Sequence, residues 1–542
     1  MGIEILSIKS SLPKKIETVK ELSIKNKSWD IDKIHSSTGI NKRYISDENE
    51  NIITLSIKSA KKIITKKNKN KIGFILFVTQ TSPFKLPSAS CLIQHKIGLP
   101  NDIFVTDINM GCSGFIYALK LSESLVNINP KKKLGLIICS DTYSKYISKN
   151  NRSCRPIFSD ASASILIGQS DKKMIGPYDF GVDGSGFSDL LLENNSKNIY
   201  MNGPKIALFT LKKIPNFINN FIKKNKIKKE KIKLMALHQA SGYIYEQLKK
   251  RININKKNFY CNFNKIGNTV SASIPLLLEK AKKANKIKGG DIIVACGFGV
   301  GLSWGIVKIV WTKKKILIVL GASSGIASEL NNFFYKKYPI YFFYFKNKPK
   351  HLKNTRSIKL DLQNFKKIKT TLDKLKIKNK KIIILNLAAV KFDKISYGIN
   401  VSDLEKTFNI NTFSFLSFIQ QLLPKMIKEK WGRIINFSST AGSVGEKGTL
   451  LYTASKNATH GMIKVMSKEY AQFNITFNTI ELGNFNLGLF KKLSPEMRKK
   501  IISKIPSKKT GNVKDIYNAV NFIVNSGYVN GSKINIDGGY SI

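Results

Sequence analysis

The sequence predicts an α/β protein of two units, and three observations carry that expectation. Apolar runs such as KIGFILFVTQ, KLGLIICSD, SASILIG and GDIIVACGFG alternate with helix-like stretches over the first part of the chain, as strands of an α/β protein do. The alternation is cleaner in the second part, where ILIVLG, IYFFYF, KIIILN, RIINFSS, ITFNTIE and INIDGG are separated by helix-length amphipathic segments. That is the pattern of a doubly wound parallel sheet. Between the two, SWGIVKIVWTKKKILIVLGASSGIA passes from an alternating final strand, through a short polar break, to a continuous apolar run and a glycine turn. The expected units are 1–312 and 313–542, joined by a linker too short to let them swing freely.

With 542 residues, 42% of them hydrophobic and 10% aromatic, the chain has material for more than one core. Its 91 Lys+Arg against 35 Asp+Glu give a net charge of +56. The excess is mostly lysine spread along the whole length, without a basic tail or an arginine-rich helix, so no nucleic-acid partner is expected; biased codon usage in an AT-rich genome accounts for it. A basic surface does attract an acidic protein partner by long-range steering. The six cysteines lie before residue 300 with no CxxC spacing and no clustered histidine, so neither a metal site nor a disulfide framework is expected. MGIEILSIKS lacks the form of a signal peptide, and no apolar run approaches the roughly 20 residues that span a bilayer. The expectation is a cytoplasmic protein.

Within the first unit, INMGCSGFIYAL places Cys112 at the start of an apolar, helix-like run. Two readings are open at this point: a small buried hydrophobe, or a nucleophile at a helix N-terminus, where free N–H groups favour the thiolate. LMALHQASG places His238 just after a strand-like run, and NKIGNTVSASIP places Asn268 in a glycine turn that leads to a helix. Taken with Cys112, they supply what a decarboxylating Claisen condensation needs: a thiolate to carry an acyl group and two neutral donors to stabilise an enolate.

Together with STGINKRYI, RPIFSDASASILIG, GVDGSGFSDLLLE and GFGVGLSWG, these residues resemble the ketoacyl synthase III enzymes of the thiolase superfamily over residues 1–312. The resemblance implies a fold of two similar α/β halves, Cys112 as acyl carrier, and an oxyanion hole made by its N–H and that of Val300. It also implies Arg152 as a contact for coenzyme A. Three positions depart from the family: Lys33 and Ser37 stand where a Trp and an Arg sandwich adenine, and Leu86 where a Phe closes the acyl pocket across a dimer. The priming group, and whether it arrives on coenzyme A or on a carrier protein, stays open.

In the second unit LGASSGIA follows a strand and opens a helix, which lets the backbone approach a pyrophosphate at Gly321 and Gly325. GRIINFSSTAG and LYTASK add Ser439, Tyr452 and Lys456. The Tyr-x-x-x-Lys spacing puts phenol and ammonium one turn apart on a helix face, where the cation can lower the phenol's pKa. These motifs, with Asn411 in FNINTF, Asp361 in KLDLQN and the closing VNGSKINIDGGY, resemble a short-chain dehydrogenase/reductase of the 3-oxoacyl-carrier-protein reductase kind over residues 313–542.

That resemblance implies Tyr452 as proton donor and Ser439 as carbonyl orienter. Lys456 binds ribose and Asn411 supports a water relay. Cofactor contacts are implied at Gly321, Ser323, Ser324, Gly325, Ile326, Asp361, Leu362, Asn386 and Ala388. Leu320, Ala327, Leu387, Ala389 and Leu482 depart from the family pattern. No acid ends the second strand in YFFYFKNKPK, where Lys346 and Lys348 stand instead; cations there suit a 2′-phosphate, so NADPH is the expected cofactor.

The two units are thus expected to act in sequence. Condensation of an acyl thioester with malonyl-acyl carrier protein makes a 3-oxoacyl thioester, and NADPH reduces it to a 3-hydroxyacyl thioester. The expected partners are acyl carrier protein and an acyl-coenzyme A or acyl-carrier primer, and the expected assembly is a homodimer or dimer of dimers. Two alternatives stand beside this reading: an acyltransferase fused to a reductase that supplies acyl groups to a glycan or secondary metabolite, and a non-catalytic acyl-binding scaffold.

Overall fold

The computed structural model describes all residues except 1, 67, 130, 171, 194, 195, 197, 314, 336, 353, 376, 378, 379, 488, 489, 491 and 492. Lys314 of the polar break thus lies outside the described residues. The chain divides into two compact units, Met1–Thr312 and Lys313–Ile542.

Among the described residues the first unit holds two large sheets and two two-stranded ones, Lys15–Thr18 with Lys42–Ile45 and Leu190–Leu191 with Tyr200–Met201. A five-stranded sheet runs in the order Gly2–Ser11, Ala161–Ser170, Leu134–Asp141, Ile72–Val78, Phe104–Ile108. A four-stranded sheet runs Ile232–Leu237, Ile292–Gly299, Ser303–Val310, Ile175–Val182. Two helices, Gly114–Leu125 and Ser273–Lys283, pack against strands of both sheets. Such a helix needs apolar or small residues around most of its circumference. Both comply: Phe115, Ile116, Ala118 and Leu119 of the first and Ile274, Leu276, Leu277 and Leu278 of the second are buried in one shared core. Cys112 therefore enters the interior at the end of a helix walled in by sheets.

The second unit is a seven-stranded sheet in the order Thr355–Lys359, Ile340–Tyr344, Lys315–Leu320, Lys381–Asn386, Gly432–Ser439, Ile475–Leu482, Lys533–Ile536, parallel throughout. Helices Gly325–Phe334 and Val513–Asn525 cover one face. Phe365–Asp373, Ser414–Glu429 and Leu450–Tyr470 cover the other. The strand order reverses between Lys315–Leu320 and Lys381–Asn386, and ligands of such sheets bind outside the strand C-termini at that point.

Candidate active sites

Cys112 is buried, and it packs onto strand backbone. A Cβ on Gly297 would lie 2.5 Å from the Cys112 carbonyl oxygen, and one on Gly299 would lie 2.9 Å from its Sγ. Only glycine lets the two segments approach this closely. The Val300 N–H and the N–H of Cys112 itself donate to the sulfur. Ser303 Oγ anchors the Val300 turn, donating to the Val300 carbonyl at 2.8 Å and lying 2.7 Å from Ser113 Oγ. These N–H groups do not give a ready thiolate, as a helix terminus alone would suggest. Burial, with the Asp141 carboxylate nearby, pushes the thiol up to about 12.

His238 follows the strand Ile232–Leu237, its N–H donating to the Cys296 carbonyl at 2.9 Å. Its ring meets the edge of Phe298 at 5.6 Å, and Nδ1 has no hydrogen-bond partner among the described residues. Burial pushes the imidazole down to about 3, so it is neutral at physiological pH. Asn268 is pinned by its backbone: its N–H donates to Ile157 at 2.9 Å and its carbonyl accepts from Ser159 at 2.8 Å. Its Oδ1 accepts from the Val270 N–H at 3.0 Å, which leaves the amide NH2 as the donor this side chain has to offer.

Cys112, His238 and Asn268, from three separate segments, line one cavity of about 440 Å³ with Phe298, Gly299 and Leu190. Arg152 does not line it. It lines an adjoining cavity of about 490 Å³ that shares Ser37, Thr38, Ile157, Met201, Gly203 and Pro204 with the first. Lys33 lines neither of these two cavities, and Leu86 is 85% exposed.

In the second unit Gly321 has φ +67°, and a Cβ there would lie 2.6 Å from the Ala388 backbone nitrogen. This turn requires glycine. Ser324 caps the helix Gly325–Phe334, accepting from the Ala327 N–H at 3.2 Å. Asn386 Nδ2 donates to Asn436 Oδ1 at 2.8 Å on the neighbouring strand. A cavity of about 400 Å³ is lined by Gly321, Ser323, Lys346, Asp361, Leu362 and Ala388, with Lys406 and Ile410 beside them. Ser324, Gly325, Ile326, Asn386 and Lys348 are not among its lining residues.

Ser439, Tyr452 and Lys456 form a second group. Ser439 hydrogen-bonds the Tyr452 phenol, whose burial nonetheless holds it above its ordinary value. Lys456 does not offset that burial: its Nζ donates to the Phe437 carbonyl at 2.8 Å, and its own burial lowers it to about 8. Asn411 sits in a π-helical turn, Asn409–Phe413, and exchanges two bonds with Val390, its Nδ2 donating at 2.9 Å and its Oδ1 accepting at 2.8 Å. Among the residues the sequence reading passed over are Asp141, Gln80, Phe298 and Lys406. Nothing in their local sequence marks them; they matter through contacts made across the fold.

The fold is that of a thiolase-like unit followed by a Rossmann-type, doubly wound parallel-sheet unit. Residues 106–184 match the 3-oxoacyl-[acyl-carrier-protein] synthase III family and 222–311 its C-terminal family, while 315–498 match the short chain dehydrogenase family. A β-ketoacyl-[acyl-carrier-protein] synthase III of Prochlorococcus marinus subsp. pastoris is 32% identical over 330 residues, covering 57% of this chain and 97% of the relative. One from Streptococcus agalactiae is 34% identical over 297 residues, covering 51% and 90%. The crystal structure of the Aquifex aeolicus 3-oxoacyl-[acyl-carrier-protein] synthase III is similar with a TM-score of 0.54 and 29% identity, covering 57% of this chain and 100% of that one. The chain belongs to the β-ketoacyl-[acyl-carrier-protein] synthase III family, with a short-chain dehydrogenase/reductase domain fused behind it. No described helix is long and apolar enough to cross a membrane, and no group of three His, Cys, Asp or Glu among the described residues could hold a metal ion.

Proposed function

We propose that the first unit condenses an acyl thioester with malonyl-acyl carrier protein and that the second reduces the product with NADPH. The observation that carries the condensing half is the convergence of Cys112, His238 and Asn268 on one cavity. Cys112 Sγ attacks the primer's thioester carbonyl and the carrier thiol leaves, so the acyl group passes to the cysteine. Because the thiol is held protonated, its proton must move as the acyl group arrives; it passes by way of the His238 imidazole to the departing thiolate, which leaves as the carrier thiol, so His238 is neutral again for the next step. N–H groups of Cys112 and Val300 stabilise the oxyanion formed. A malonyl thioester then loses carbon dioxide, His238 and the Asn268 amide stabilising the enolate by hydrogen bonds. Its carbon attacks the acyl-cysteine carbonyl, and Sγ leaves as the thiolate and takes up a proton from solvent to restore the thiol.

For the reducing half, the tight turn at Gly321, packed on the Ala388 backbone, leads directly into the N-terminus of the helix Gly325–Phe334, and such a terminus suits a pyrophosphate. Ser323, Asp361, Leu362 and Ala388, which line the cavity, would frame the rest of the dinucleotide, and Lys346 would meet a 2′-phosphate. When bound, the dinucleotide supplies the hydride. The Tyr452 phenol, kept protonated by burial, donates its proton to the carbonyl oxygen that Ser439 orients. Lys456 holds positive charge near that phenol, and Asn411 supports proton supply. Arg152, at the outer cavity, suits a phosphate on the primer's carrier. The partner is an acidic acyl carrier protein, matched by the +56 charge.

Incubation with malonyl-carrier protein, a panel of acyl-coenzyme A primers and NADPH, followed by mass spectrometry of the carrier, tests this. A primer extended by two carbons and reduced at the 3-carbonyl is expected. Transfer of an unextended acyl group would instead make the first unit an acyltransferase only.

A further inference from the structure

One buried carboxylate, not used in the steps above, stands between two segments that support the condensing cavity. Asp141 ends the strand Leu134–Asp141 and is fully buried. Its Oδ1 accepts from the Gln80 N–H at 2.8 Å and from the hydroxyls of Thr81 and Thr79 at 3.3 and 3.4 Å. Its Oδ2 accepts from the Ser271 N–H at 3.3 Å and from the Ser271 hydroxyl. Each oxygen thus serves a different segment.

The first segment supports Cys112. Gln80 lies so close to Gly111 that a Cβ there would fall 2.2 Å from Gln80 Oε1, and that same oxygen accepts from the Tyr143 hydroxyl at 2.8 Å. The second segment carries Asn268, whose Oδ1 holds the Val270 N–H directly before Ser271. A buried carboxylate served only by neutral donors is expensive to keep. An amide of the same shape could not replace it, because its NH2 would face one of the two backbone N–H groups and break that tie.

We propose that Asp141 is a positioning residue of the condensing site: its two carboxylate oxygens join the Thr79–Thr81 loop behind Cys112 to the Asn268–Ser271 turn, and so set the enolate-stabilising amide in register with the nucleophile. The catalytic consequence rests on the condensing reading; the structural tie does not.

The test compares the full-length chain with Asp141→Ala, which removes both oxygens, and Ser271→Ala. Hydrogen exchange followed by mass spectrometry is expected to show residues 79–81 and 269–272 both exchanging at least tenfold faster in Asp141→Ala, and only 269–272 in Ser271→Ala, while 381–386 of the second unit stay as in wild type. In parallel, Ser271→Ala should lower kcat for condensation about tenfold, with KM for the primer and the rate of Cys112 alkylation within twofold of wild type. Exchange that quickens in neither segment or in only one in Asp141→Ala overturns the tie, as does an unchanged kcat in Ser271→Ala. If Asp141→Ala does not fold, Ser271→Ala decides by the same two readouts. A wild-type protein that condenses nothing defeats the functional reading instead, and hydrogen exchange then decides the tie alone.

Discussion

The Lys456 ammonium nitrogen lies 5.6 Å from the centre of the Tyr452 ring, one turn along the same helix, and donates to the Phe437 carbonyl on the adjacent strand. The lysine is thereby fixed beside the phenol by a bond to the sheet. Burial lowers it to about 8, so its charge is lost as pH rises through that value. The expected outcome is that kcat/KM for NADPH, which reports the free enzyme, falls above about pH 8 in wild type but stays level to higher pH in Lys456→Arg.

Removing the phenol should separate the two activities. Tyr452→Phe is expected to lower reduction of a supplied 3-oxoacyl thioester by about 10²- to 10⁴-fold, the worth of a positioned acid, while condensation continues. Stopped assays of each half-reaction check this directly.

Cys112→Ser is expected to have the opposite effect. Serine has no thiol-like acidity and loses condensation by on the order of a thousandfold or more, with NADPH-dependent reduction retained. In wild type, the thiol held at about 12 predicts that Cys112 alkylation rises steadily between pH 7 and pH 10, without the plateau an ordinary cysteine shows. Peptide mass mapping after timed iodoacetamide treatment reads both.

At Gly297 a methyl group would meet the Cys112 carbonyl, a backbone atom that cannot swing aside. Gly297→Ala should therefore destabilise the first unit by about 1–3 kcal/mol, as overpacking does, and leave the transition of the second unit in place. Calorimetry that shows both transitions unmoved would contradict the tight approach.

Lys346 lines the cavity beside Gly321, whereas Lys348 does not, so the proposed NADPH preference rests on Lys346. Lys346→Ala is expected to weaken NADPH binding about tenfold and to leave NADH nearly unchanged, the loss of one charge-assisted hydrogen bond. Lys348→Ala should change neither. Fluorescence titration of both nucleotides against both variants distinguishes a phosphate contact from general surface charge. The same preparations bear on assembly: light scattering at micromolar concentration is expected to show a dimer or tetramer, in which the exposed Leu86 is covered.

Local sequence determined the parallel-sheet unit and the chemical groups of both sites. Most of its parallel strands are short apolar runs, the edge strand Thr355–Lys359 (TRSIK) being the one that local sequence did not mark, and helix geometry puts Tyr452 and Lys456 one turn apart on the same face. Gly321 was legible for the same reason, since a tight strand-to-helix turn leaves a local glycine signature. Tertiary structure alone decided the rest. Asp141 and Ser271 are far apart in the chain, and their bond exists only because the end of the strand Leu134–Asp141 meets the turn Val270–Ala272. The protonation of Cys112, His238 and Lys456 was likewise illegible: it depends on how much water each group loses, and desolvation is set by the packing of distant segments rather than by neighbours in sequence.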